Sequence, residues 1–242
     1  MATYQTMPRR AAAAGVQFDA GLRAHLNKVY GLMAVAMVIT GVVAFAVGSS
    51  PALLQTIFMS PLKWVVMFAP LGVVLLFSAG INRMSTATAQ IVFWGFAALM
   101  GLSISFIFAA FTGISIAQTF FVTAIAFLGL SLWGYTTKRD LSGMGRFLIM
   151  GLIGIILASI VNIFLGSPGL EFAVSVIGVL IFSGLTAYDT QRLKNEYVHF
   201  SQMGAEGMAY LEKGAIMGAL SLYLNFLNLF MFLLQFMGAS RE

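Results

Sequence analysis

The sequence predicts an all-α integral membrane protein, with seven transmembrane helices and the last one central to the bundle. Three observations carry this reading. Of 242 residues, 60% are hydrophobic and only 9% charged, whereas soluble domains carry about 25% charged residues. The apolar residues gather into seven runs, each near the roughly 20 residues that cross a hydrocarbon core. The last run bears a stripe of small and amide side chains, which belongs against protein rather than lipid.

The seven runs fall near Val29–Val47, Leu62–Ile81, Ala87–Phe111, Ser115–Tyr135, Gly145–Leu165, Leu170–Tyr188 and Gly214–Met237. Before them, residues 1–20 are polar and alanine-rich and read as a mobile cytoplasmic tail. Residues 21–242 then form one transmembrane domain. The pattern Asp19–Lys28 suggests a short interfacial helix with Leu22 and Leu26 on one side. His25 reads there as a solvated imidazole. Only two connections are long, Gly48 to Pro61 and Asp189 to Lys213. Pro70 lies inside the second run, where it removes a backbone donor.

Charge sets the orientation. Eleven of the thirteen Lys and Arg fall on one side, among them Arg9, Arg23, Arg83, Arg139 and Lys213, against Lys63 and Arg241 on the other. Basic residues stay cytoplasmic, which predicts an inside N-terminus and, with seven spans, an outside C-terminus. A re-entrant last run would instead return the tail to the inside. The net charge of +5 therefore reads as topology, not nucleic-acid binding. Without cysteine, disulfides and thiolate chemistry are excluded.

In the last run, Gly214, Gly218, Ser221, Asn225 and Asn228 follow spacings of four, three, four and three, and Gln235 falls seven further on. That is one helical face. Asn225 and Asn228 allow two readings: interhelical hydrogen bonds, worth about 0.6 kcal/mol on average, or the lining of a pathway that includes Ser221.

Asp189 stands at the edge of the sixth run, in Gly184–Lys194 (GLTAYDTQRLK). A carboxylate there is costly unless it is used or paired. Burial opposes its charge and a nearby cation supports it. The candidate cations are Arg192, one turn on, and Arg83 at the end of the second run. Its bland reading is a helix-end residue paired with Arg192, although a carboxylate there opposes the helix dipole.

Enzyme chemistry finds little support. The only histidines, His25 and His199, lie outside the runs, no HExxH occurs, and Glu171 lies on the side opposite Asp189. Neither a nucleophile–base pair nor an aspartyl pair can be assembled, so the chain reads as a non-enzyme without cofactor.

GLTAYDTQRLK, with GYTTKRDLSGMG (Gly134–Gly145) before it and GALSLYLNFLNLF (Gly218–Phe230) after it, resembles the Bax inhibitor family, closest to its bacterial branch, over about residues 20–238. The resemblance implies seven helices around a central last one, in a bacterial inner membrane. It also implies a calcium leak under pH control, exerted by a pair of aspartates sharing a proton. Asp189 matches the first aspartate and is the candidate proton sensor and calcium ligand. Asn225 stands where the family has the second. Arg83 matches, loosely, an arginine that latches the first aspartate in some bacterial members.

The amide at Asn225 changes the chemistry. Two close carboxylates titrate as a coupled pair through mutual repulsion, whereas an Asp–Asn pair has one charge fewer. Calcium prefers several oxygens with carboxylate charge, so blunted pH gating and weaker calcium binding are expected. The family also allows a second expectation, a non-transporting regulator that binds other membrane proteins, such as a protease modulator or cell-death suppressor.

Overall fold

The structure, a computed structural model, describes residues 6–239, with side chains from residue 20 onward. Nine α-helices make up the fold among these residues: α1 (Thr6–Gly48), α2 (Pro51–Phe58), α3 (Leu62–Gly80), α4 (Thr86–Ile104), α5 (Ile107–Ala110), α6 (Gly113–Thr136), α7 (Ser142–Leu165), α8 (Pro168–Phe200) and α9 (Gly204–Met237). Two 3₁₀ turns, Ile81–Arg83 and Ser201–Met203, lie between them. Six helical stretches are long and apolar enough to cross a membrane, and the sixth, Pro168–Met237, runs through both α8 and α9. The chain is an all-α integral membrane protein.

Local chemistry explains most helix starts. Hydroxyls of Ser50, Ser85, Thr112 and Ser167 accept from the backbone N–H three residues on, capping α2, α4, α6 and α8. Between α7 and α8 the chain turns within two residues. Gly166 takes the left-handed conformation at φ 58, which suits a residue without Cβ. Ser167 then caps α8, and Pro168 opens it where no donor is missed.

Several boundaries differ from the expected ones. Asp19–Lys28 is not a separate interfacial helix but part of the continuous α1. Leu22 and Leu26 are buried in a core shared with Tyr197 and Leu211, so this segment rests on the ends of α8 and α9. His25 lies against Tyr197, ring centroids 5.4 Å apart and planes tilted by 36°, and is not simply solvated. The expected tail lies outside the described residues at 1–5, and its backbone is helical from Thr6. The long connection after Gly48 contains α2, and the one after Asp189 is helix on both sides of the Ser201–Met203 turn. At 33 residues α8 is about 50 Å long at 1.5 Å per residue, well beyond a hydrocarbon core of about 30 Å.

Helix α9 is enclosed by its neighbours. It packs against α1, α4, α6 and α8. Leu222, Tyr223, Asn225, Phe226 and Leu227 are all buried, and at 100° per residue they cover an arc of about 200°, with the half-buried Ser221, Leu224 and Asn228 on the remaining face. Its start lies beside the end of α8, with Gly207 against the Phe200 carbonyl, and further along Gly218 packs against Leu193. Its far end is tied to the start of α6: Thr112 N–H donates to the Ala239 carbonyl at 3.1 Å, and Ala239 N–H to Ser115 Oγ at 2.9 Å.

Candidate functional site: a buried carboxylate between two cavities

Helix α8 continues eleven residues beyond Asp189 to Phe200, so Asp189 sits within the helix and not at its end. The dipole objection to a helix-end carboxylate therefore lapses. Asp189 is 5% exposed. Its Oδ2 accepts from Asn225 Nδ2 at 2.7 Å and from Ser221 Oγ at 2.8 Å. Its Oδ1 pairs with Arg192 Nη2 at 3.1 Å. Arg192 Nη2 also donates to Ser221 Oγ at 3.4 Å, and Ser221 passes its own proton on to the carboxylate. Arg192 Nε lies 3.6 Å from Glu196 Oε1, and the guanidinium stands 5.9 Å over the Tyr188 ring.

Asn225, Ser221 and Arg192 thus all present donors to the carboxylate. Asn225 must present its amide N–H₂ to that charge. Toward a protonated carboxyl the same amide can turn its oxygen instead. Both oxygens of Asp189 are engaged, Oδ2 by two donors and Oδ1 by Arg192 alone, so Oδ1 keeps a lone pair. Among the described residues, no three His, Asp or Glu side chains gather into a metal site.

The structure brings Asp189, Asn225 and Ser221 together but not Arg83. Arg83 closes the Ile81–Arg83 turn after α3 and is exposed, and the cation beside Asp189 is Arg192. A residue one helical turn away needs no tertiary coincidence to reach Asp189, whereas Arg83 would have to cross from another helix.

Two cavities flank the cluster, and a third adjoins one of them. One of about 280 Å³ holds Arg192, Glu196, Asn195 and His199 on the side where α8 projects. On the other side, about 500 Å³ is lined by α7, α8 and α9, with Ser221, Asn225 and Asn228 in its wall. It adjoins a third, about 570 Å³, which shares Ser159 and Asn228 and reaches Glu171, Asn162 and Gln235. Asn228 Nδ2 donates to its own helix at Leu224, which leaves its oxygen for these cavities. Gln235 accepts from Ser175 Oγ at 3.1 Å. The α9 stripe thus bonds α8 at Ser221, Asn225 and Gln235 and lines open space at Asn228.

Gln191 of α8 holds the loop before α7. Gln191 Nε2 donates to the Arg139 carbonyl at 2.8 Å, and its Oε1 accepts from Leu141 N–H at 2.9 Å. Gly134 lies on the Ala187 backbone and Gly145 on the Tyr188 ring. GYTTKRDLSGMG and GLTAYDTQRLK are therefore two sides of one contact. Sequence reasoning missed Gln191 in this role, and its signal was a neutral polar residue two positions from Asp189. It also missed the buried Tyr223 hydroxyl, 2.8 Å from Thr40 Oγ1, although an internal Thr in the first run hinted at a partner.

Together these features define a helical membrane protein with a donor-clamped carboxylate inside its bundle. The family described as Inhibitor of apoptosis-promoting Bax1 matches residues 22–242. The chain belongs to this family. It is 48% identical to a protein of Caulobacter vibrioides over 95% of this chain and 94% of that one. It is 45% identical to Inner membrane protein YbhL of Escherichia coli K12, over 93% and 96% respectively. A Rickettsia prowazekii protein, RP147, is 46% identical over 93% of each.

Proposed function

We propose that the chain is a pH-influenced calcium (cation) leak of a bacterial inner membrane. Seven helices cross, with the N-terminus cytoplasmic. The observation that carries this reading is the placement of Asp189 with its three donors between the α7–α8–α9 cavities and the Arg192–Glu196 cavity. A seventh crossing is favoured because α9 starts beside the α8 extension and ends at the start of α6. The inner-membrane location follows from the likeness to YbhL.

In this reading the ion pair is the closed state. Arg192 neutralises Asp189 and occupies the cation's place. Protonation of Asp189 removes the charge that holds Arg192, and the guanidinium relaxes toward Glu196, so flux rises on acidification. Asn225 follows the change by turning its amide. The experiment is calcium flux into liposomes holding pure protein, across pH. Asp189→Asn, a neutral isostere, should leak with little pH dependence, and Asn225→Asp should steepen the pH dependence. A wild-type pH profile in Asp189→Asn, or no flux from Asn225→Asp at any pH, would sink the reading.

A second reading, a regulator that binds other membrane proteins, is favoured by the elbow between α8 and α9. Met203, Met208 and Tyr210 are exposed there at 54%, 51% and 49%. Co-purification of a membrane partner that is lost in Met203→Ser/Met208→Ser, from protein without flux, would select it.

A further inference from the structure

A crevice of about 440 Å³ opens between α1 and α6 and shares no lining residue with the cavities around Asp189. Helix α8 lies behind it. Thr190 gives its own proton to the Thr186 carbonyl, so the Tyr30 hydroxyl donates to Thr190 Oγ1, at 3.4 Å. Lys194 Nζ donates to the Tyr135 carbonyl at 2.9 Å and stands 5.0 Å over that ring. Arg23 and Asn27 line its outer rim and Ser131 its wall.

Ser131 is the informative residue. It is 5% exposed, and among the described residues its Oγ has no hydrogen-bond partner. In the same helix Thr123 and Thr136 each donate to the carbonyl four residues back, as do Thr186 and Thr190 in α8. A buried hydroxyl left unpaired inside a membrane protein calls for a partner from outside the chain. The rest of the crevice indicates what that partner is. Arg23 offers a guanidinium fork suited to phosphate, no Asp or Glu lines the space among the described residues, and Lys194 adds positive charge behind Tyr135. Leu128 and Leu132, 65% and 64% exposed, continue the wall as an apolar face, which a free anion would not use.

We propose that this crevice binds one anionic phospholipid. Its phosphate accepts from Arg23 and from the Ser131 hydroxyl, the two tyrosines flank the headgroup as interfacial aromatics do, and an acyl chain lies along Leu128 and Leu132. Basic pockets between membrane helices hold anionic headgroups by this combination of charge and apolar wall.

The experiment is native mass spectrometry of the full chain from micelles containing equal phosphatidylglycerol and phosphatidylcholine of matched chains. Phosphatidylglycerol should be retained about fivefold over phosphatidylcholine, the scale expected for one basic residue near an anionic headgroup. Arg23→Gln, at an exposed site, should abolish the preference, and Ser131→Ala should lower retention. Arg83→Gln, another exposed basic residue, should leave both unchanged. Equal retention of the two lipids, the same loss in Arg83→Gln as in Arg23→Gln, or displacement of the lipid by millimolar inorganic phosphate would each overturn the proposal.

Discussion

At the scale of the residue, Arg192 is the charged partner of Asp189. Its side chain is 39% exposed while that of Asp189 is 7% exposed, so one end of the pair is in contact with solvent and the other is not. Removing Arg192 leaves a buried carboxylate with two neutral donors. The cost should fall between the about 0–1 kcal/mol of an exposed pair and the about 3–5 kcal/mol of breaking a fully buried one. The Arg192–Glu196 pair, 3.6 Å long with Glu196 33% exposed, belongs to the lower class. Thermal melting in detergent should therefore fall further in Arg192→Gln than in Glu196→Gln. Equal shifts would mean that Arg192 supports nothing at Asp189.

At the scale of the element, two glycines allow close packing for different reasons. A Cβ on Gly134 would meet the Ala187 backbone, with Ala187 Cα at 2.9 Å, whereas one on Gly218 would meet the tip of the Leu193 side chain. Backbone cannot yield without moving α6 from α8, but a leucine tip can change rotamer. Gly134→Ala should accordingly lower the melting temperature by the equivalent of about 1–3 kcal/mol, the usual cost of overpacking, and Gly218→Ala by clearly less. A Gly218→Ala variant as unstable as Gly134→Ala would contradict this account of the α6–α8 and α8–α9 contacts.

At the scale of the whole molecule, the elbow at Ser201–Met203 and the α9 end at Ala239 should lie on opposite sides of the membrane. The chain contains no cysteine, so single cysteines report sidedness without background. In intact cells a membrane-impermeant thiol reagent should label Ala239→Cys and spare Met203→Cys. Protection of both would make the last segment re-entrant and return the C-terminus to the cytoplasm.

The membrane class, the positions of the apolar helices and the α9 stripe were legible in the sequence, because length, hydropathy and the 3.6-residue period are local quantities. Asp189 stood out for the same reason, as a charge at the edge of an apolar run. The meeting of Asp189 with Asn225 was suggested by motif alone and is realised by the packing of α9 on α8. The partner cation, the extension of α8 past Asp189, the Gln191 staple and the unpaired Ser131 hydroxyl were not legible. Each depends on where helices far apart in the chain cross, and hydropathy does not encode crossings. What the sequence determined by itself was which residues avoid water. What only the tertiary structure decided was which polar groups, having avoided it, find each other, because a hydrogen bond in a bundle is fixed to within an ångström by the packing of neighbouring helices.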